Sequence, residues 1–151
     1  MSDGTKEVRE RFIEQMGVIS QGDGLPRIAG RLIGLMVFDG KPYSFGELAI
    51  ELQVSRGSIS TNARILEQMG IIERVAKAGD RQDYFQLADD PYSNILKGAL
   101  ARSTKARETI AKTSAALPNR GHKDVKTRLT AFEDFYQTVT QALSEAIERD
   151  R

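Results

Sequence analysis

The stretch Ser44-Phe45-Gly46-Glu47-Leu48-Ala49-Ile50-Glu51-Leu52-Gln53-Val54-Ser55-Arg56-Gly57-Ser58-Ile59-Ser60 decides the fold. Its first four residues spell a capping box. The Ser44 hydroxyl can accept from the N–H of Glu47 while the Glu47 carboxylate reaches back to the N–H of Ser44. This predicts a short helix through Leu48, Ala49 and Leu52. Gln53-Val54 then makes a tight turn with Val54 buried at the bend. Ser55 caps a second helix that runs to Met69, and Gly70 supplies a left-handed stop. Two helices joined by a turn of about three or four residues have the spacing of a helix-turn-helix.

Outward from this pair the period changes. Ile71 to Lys77 and Gln82 to Leu87 are β-prone, and Ala78-Gly79-Asp80-Arg81 between them reads as a hairpin turn. Helix, turn, helix and hairpin follow in the order of a winged helix. On the N-terminal side, Val8, Phe12, Met16 and Ile19 fall three or four apart, predicting an amphipathic helix over Thr5 to Ile19. Gly22-Asp23-Gly24 breaks it. Pro26 suits the first turn of a helix carrying Ile28, Leu32, Leu35 and Met36, which stops at Asp39-Gly40. From Pro91 a long helical stripe runs through Tyr92, Leu96, Ala99, Ser103, Ala106, Ile110, Thr113 and Leu117. Pro118-Asn119-Arg120-Gly121 ends it, and a last stripe follows through Val125, Leu129, Phe132, Tyr136, Val139, Leu143 and Ala146. Sustained alternation of three and four makes a seam for another helix. The expected fold is therefore mainly α with a small β-hairpin wing. Residues 1–24 form an N-terminal dimerisation helix, 25–88 a winged helix-turn-helix, and 89–151 a long helical hairpin for dimerisation.

Composition narrows the chemistry. The chain has 151 residues, no cysteine and one histidine, His122. Disulfides, thiolate nucleophiles and cysteine-based metal sites are thereby excluded, and a single histidine with no evident partner makes a zinc site a poor expectation. His122 reads as a solvated loop residue. No P-loop, dinucleotide fingerprint, H-E-x-x-H or Ser/His/Asp arrangement is present, so no enzyme and no cofactor are expected. No run approaches the roughly 18 apolar residues of a membrane span, and Met1 to Glu10 is too polar for a secretory signal. The expected location is cytoplasmic, with no membrane partner.

Net charge is only +1, but it is unevenly placed. Between Lys97 and Arg128, nine Lys and Arg stand against Glu108 and Asp124, a local charge of +7, while Met1 to Gly24 carries −2. The basic stretch has two readings: a DNA-backbone footprint, or charge complementarity with the acidic terminal helices in a dimerisation layer. The second is favoured, because charges flanking a helical seam commonly serve pairing.

A helix enters the major groove with a polar outer face able to meet base edges. At 100° per residue, Ile59, Ala63 and Leu66 fall on one side of the second helix. Gly57, Thr61, Arg64 and Gln68 fall opposite, flanked by Ser58 and Ser60. Arg56, Ser58, Ser60, Thr61 and Arg64 are the candidate major-groove contacts, and Lys77 and Arg81 the candidate wing contacts to phosphate or minor groove. Each also has an ordinary structural reading, as a cap, a solvated face or a solvated turn with Asp80 pairing locally.

Ser55-Arg56-Gly57-Ser58-Ile59-Ser60, then Leu66-Glu67-Gln68-Met69-Gly70-Ile71-Ile72-Glu73-Arg74, then Gly79-Asp80-Arg81-Gln82-Asp83-Tyr84, resemble the MarR family of bacterial regulators. Gly24-Leu25-Pro26-Arg27-Ile28-Ala29-Gly30-Arg31 resembles the opening motif of its GbsR-like branch. The resemblance covers about Gly24 to Leu87. It implies a homodimer on a pseudo-palindromic operator in double-stranded DNA, with recognition helices in the major groove and half-sites about one helical turn apart. It also implies a repressor that releases DNA when a small-molecule effector binds. Some members of the branch sense choline, whose pocket needs aromatic faces. Phe132, Phe135 and Tyr136 cluster on or beside the seam, where ordinary packing accounts for them. The effector is not readable. The leading expectation is thus a sequence-specific DNA-binding transcriptional regulator. The alternative is a winged-helix module that binds protein, suggested by the low net charge and by Arg56 and Arg64 facing Glu67.

Overall fold

The computed structural model describes residues 1–149. Its elements in chain order are α1 (Asp3–Gly22), α2 (Arg27–Asp39), β1 (Tyr43–Ser44), α3 (Phe45–Leu52), α4 (Arg56–Gln68), β2 (Ile72–Ala76), β3 (Asp83–Leu87), α5 (Pro91–Ala116) and α6 (Lys123–Arg149). The chain divides into two units, Met1–Pro91 and the segment from Tyr92 onward.

Side-chain caps start α1, α3 and α4. Ser2 accepts from the N–H of Thr5 at 3.2 Å, and Ser55 accepts from the N–H of Ser58 at 3.1 Å. The capping box read from the sequence is formed, with Glu47 N–H donating to the Ser44 hydroxyl at 3.2 Å and Ser44 N–H to the Glu47 carboxylate at 3.5 Å. Gln53 turns the chain out of α3 with φ +55°, the one non-glycine left-handed residue among those described. A single residue there gives the sharp bend of the helix-turn-helix at modest cost. Gly70, at φ +72°, ends α4 as expected.

The sheet is three-stranded and antiparallel, in the order β1-β3-β2. β2 and β3 form the hairpin, with Ile72 opposite Leu87 and Ala76 opposite Asp83. The third strand was not expected. It is two residues long, pairing Tyr43 with Phe85 and Ser44 with Tyr84, and so carries no periodicity to read. Leu32, Leu35, Met36, Leu48, Leu52, Ile59, Leu66, Ile71 and Phe85 form the fully buried centre.

α1 packs on α2 through a different face from the one its apolar spacing predicts. Arg9, Ile13, Gly17 and Ser20 are buried, whereas Val8 is 56% and Ile19 55% exposed; Phe12 and Met16 are half-buried. Backbone proximity explains the choice. A Cβ on Gly30 would lie 2.5 Å from the Met16 carbonyl, and one on Gly34 would lie 3.2 Å from the Ile13 Cα. Small residues let the helices approach, so many weak contacts form along the seam. Arg9 can be buried because its charge is satisfied. Its Nε and Nη2 donate to the two Asp39 oxygens at 2.8 and 2.7 Å, and Nη2 also reaches Glu51 at 3.1 Å. Tyr43 donates its hydroxyl to the same Asp39 carboxylate. One guanidinium therefore ties α1 to the end of α2 and to α3.

In the second unit, α5 and α6 are joined by residues 117–122, with Gly121 at φ +85°. The Ser103 and Thr140 hydroxyls meet at 2.7 Å across the hairpin. Few apolar side chains are covered here. Ile110 and Ile147 are buried, while Phe132 is 49% and Phe135 56% exposed.

Gly30→Ala is expected to lower Tm by roughly 3–10 °C, since overpacking costs about 1–3 kcal/mol. Alanine gains up to about 1 kcal/mol in helix propensity, so an unchanged or raised Tm would show that the close approach is not a constraint. The Arg9 guanidinium holds the Asp39 carboxyl below its ordinary range. Its stabilisation is therefore present above the usual value of about 3.9 and is lost as pH falls through the depressed one. In thermal melts across acid pH, Asp39→Asn should flatten that loss; parallel profiles for both proteins would contradict it.

Candidate nucleic-acid interface

Core packing sets the orientation of α4. Ile59, Asn62, Ala63 and Leu66 are buried, leaving Arg56, Gly57, Thr61, Arg64 and Gln68 exposed on the far side. Ser58 and Ser60 are half-buried at the margins of this face. Thus α4 brings the five helix candidates Arg56, Ser58, Ser60, Thr61 and Arg64 onto or beside one surface. Ser58 is partly spent on structure. Its N–H is capped by Ser55, and its carbonyl accepts from the Asn62 amide at 2.8 Å. Arg56 leans back across the turn, its Nη2 only 2.9 Å from where a Cβ on Gly46 would stand. Glycine at that position gives the guanidinium room beside the first turn of α3.

Charge on this face differs from the sequence expectation in one respect. Glu67 does not oppose Arg56 or Arg64; it pairs with Arg74 of β2 at 3.1 Å. Among the described residues no carboxylate forms a salt bridge with Arg56 or Arg64. The outer face of α4 is therefore left cationic and rich in hydroxyls. That combination can donate to phosphate oxygens and to base-edge acceptors.

The two wing candidates lie in the loop of residues 77–82, and both are exposed. Lys77 places its Nζ 4.1 Å from the Tyr84 ring centroid, a cation–π contact that props it at the base of the loop. Asp80 does pair locally. It accepts from the Gln82 N–H at 2.9 Å and from the Tyr84 hydroxyl at 2.6 Å. The Tyr84 hydroxyl and the Gln82 N–H hold its carboxyl below the ordinary range, and the bond to Asp80 in turn pushes the Tyr84 hydroxyl up. Arg81 projects from the loop with no salt-bridge partner among the described residues. Sequence reasoning missed Tyr84, which braces the loop from the strand below. It also missed Arg74, which bonds Glu67 and Asp83. The adjacency of Arg74 and Asp83 across the hairpin follows from register, and register could be counted only once the loop length was known.

Elsewhere in this unit, α1, α2 and α3 border a groove of about 940 Å³. Lys6, Arg9, Arg31 and Lys41 share it with Glu10, Glu14, Asp39 and Glu51, so neither sign prevails. Among the described residues no cluster of His, Asp and Glu is placed to hold a metal ion. His122 lies half-buried beside α6, its carbonyl accepting from the N–H of Lys126 at 3.0 Å.

A sequence model of the MarR family matches residues 38–83, from the end of α2 into β3. The HTH-type transcriptional regulator MmpR5 of Mycobacterium tuberculosis is 51% identical over 83 residues, covering 54% of this chain and 50% of that protein. The HTH-type transcriptional repressor OpcR of Bacillus subtilis is 26% identical over 103 residues, covering 68% of this chain and 56% of that protein. The chain spans about half the length of the curated relatives it matches. A solved structure described as a transcriptional regulator superposes with a TM-score of 0.81 at 34% identity, covering 93% of this chain and 96% of the other. By sequence across the helix-turn-helix and wing, and by fold across nearly its whole length, this chain belongs to the MarR family.

Proposed function

We propose that this chain is a sequence-specific DNA-binding transcriptional regulator that acts as a homodimer. The observation that carries the reading is the outer face of α4, where Thr61 and Arg64 stand exposed while the nearby Glu67 is taken by Arg74. In this reading Arg56, Ser58, Ser60, Thr61 and Arg64 meet the major groove. Lys77 and Arg81 meet phosphate or the adjacent minor groove. Reading double-stranded DNA falls to residues 25–88, and pairing to residues 1–24 and 89–151. Two such heads related by two-fold symmetry require a pseudo-palindromic operator with half-sites about one helical turn apart. The name of OpcR supports repression as the sign of control. The opening motif supports the GbsR-like branch: Gly24 turns the chain at φ +90°, and Gly30 sits in the α1–α2 seam. An effector, in this reading, acts by changing the spacing of the two heads. Work on DNA places the protein in the cytoplasm, and no described helix is long and apolar enough to cross a membrane.

The homodimer is supported by apolar surface that one chain leaves open. Phe132 and Phe135 are exposed on α6, and Val8, Val18 and Ile19 on α1. Exposed apolar side chains on each unit, taken separately, fit an association site. Along α6 the charge also reverses, from Lys123, Lys126 and Arg128 to Glu133, Asp134, Glu145 and Glu148. An antiparallel second copy of the helix would set basic residues beside acidic ones.

An operator selected from randomised duplex DNA tests the reading. Arg64→Ala should weaken specific binding by about 1–3 kcal/mol and relax preference at one position of each half-site. Unchanged affinity and preference would remove Arg64 from the interface. Weak binding by the wild type, abolished by unrelated DNA, would instead favour a protein-binding module. For pairing, Phe132→Glu combined with Phe135→Glu should give a monomer by light scattering, and a surviving dimer would place the interface elsewhere.

A further inference from the structure

We propose that Arg74 is a positioning residue that fixes the wing relative to the reading helix, and so sets which minor-groove contacts accompany the major-groove ones. The proposal rests on the DNA-binding reading above for its consequence, but not for its geometry. Arg74 stands on β2 directly opposite Phe85 of β3. Its guanidinium lies 5.1 Å from the Phe85 ring centroid and 5.9 Å from that of Phe45, the first residue of α3. The two rings meet edge to face at 4.8 Å, giving the cation a firm apolar floor. From there Nη2 reaches Glu67 near the end of α4 at 3.1 Å, and Nη1 reaches Asp83 at the start of β3 at 3.1 Å. One planar group thus touches α3, α4 and β3 from its seat on β2.

An exposed ion pair between two long side chains is a weak tie, because solvent screens it and both chains must be ordered. Arg74 differs in two ways. Its guanidinium lies over a buried ring as well as against carboxylates, and its fork bonds carboxylates from two elements at once. The bonds to Glu67 and Asp83 raise its pKa further above the ordinary arginine range. The base of the hairpin already shares a buried core with α4, where Ile71, Ile72 and Phe85 pack in one cluster with Ile59 and Leu66. Beyond that core, Arg74 adds a side-chain tie from β2 to α4 through Glu67, so the expected result is small for global stability and is read in the spread of positions of the outer hairpin. Its loop is braced internally, through Tyr84, Asp80 and Lys77, and those bonds tie the loop to its own strands. Arg74 is thus a tie that carries the posture of the helix beyond the core into the wing. It also removes Glu67 from the α4 surface, so one residue both aims the wing and clears the reading face of negative charge.

The chain has no cysteine, so two introduced cysteines are its only labelling sites. Gln68→Cys on α4 and Gln82→Cys in the wing loop are both at exposed positions. Spin labels on this pair, in full-length protein diluted with unlabelled chains, report the intrachain distance without DNA. Arg74→Met keeps an unbranched stem over the rings and removes the fork; Arg74→Lys keeps the charge alone. Circular dichroism melts establish that both variants fold. The proposal expects both to broaden the distance distribution relative to the parent. It also expects hydroxyl-radical protection of the operator minor groove to be lost while guanine protection in the major groove persists, with specific affinity down about tenfold or more. Distances as narrow as the parent's in folded Arg74→Met and Arg74→Lys would overturn it. Broadened distances in variants of a parent that protects no DNA would uphold the clamp and overturn the regulator reading.

Discussion

The burial of Ile59, Ala63 and Leu66 is the constraint on which the rest of the molecule depends. All three are essentially inaccessible, packed in one cluster with Leu32, Leu35, Leu48 and Leu52. Burying each large side chain stabilises the fold by about 1.5–3 kcal/mol. Half a turn of rotation would expose Leu66 and Ile59 and drive Arg64 into an apolar core, where an unpaired charge costs several kcal/mol. Rotation of α4 about its axis is therefore fixed by the core. Its polar face points outward because no other orientation satisfies both sides. The capping box, the left-handed Gln53 and the Ser55 cap then hold that helix at a sharp angle to α3.

Much of this was legible in the residues. The capping box, the Ser55 cap, the Gly70 stop and the hairpin all follow from local chemistry that acts over a few positions, and they stand where the sequence placed them within a residue or two. The orientation of α4 was legible for the same reason, since a period of 3.6 and three apolar residues fix a face. What escaped was tertiary. The apolar stripe of α1 pointed to Val8 and Ile19, yet the seam runs through Gly17 and Ser20, because glycines on the opposite helix reward backbone approach and hydropathy does not register that. Arg9 entered the sequence reading only as one charge of the Met1 to Gly24 stretch, and the distant Asp39, Tyr43 and Glu51 make it a buried residue. Glu67 looked like a neighbour of Arg64, and strand register gives it to Arg74 instead.

The second unit is organised by different physics. α5 and α6 are long, joined by one hydroxyl pair at Ser103 and Thr140, and cover few apolar groups of their own. A hairpin this thin gains little from the burial within its own two helices. Among the described residues, the cations between Lys97 and Arg128 form no salt bridge within the chain. Exposed aromatics and unneutralised cations on the same pair of helices are what a second copy with an acidic helix end would cover. Under the proposed function, this favours pairing for the basic stretch and leaves DNA to the α4 face and the wing.

The most direct test of the central claim is the binding of full-length protein to fluorescent duplex DNA from upstream of its own coding sequence, with and without excess unrelated DNA. A regulator that reads sequence through α4 should bind tightly and keep its affinity in the presence of competitor, with protection confined to two half-sites about one helical turn apart. Binding that unrelated DNA abolishes, with no protected half-sites on that fragment or on any duplex selected from random sequence, would contradict it.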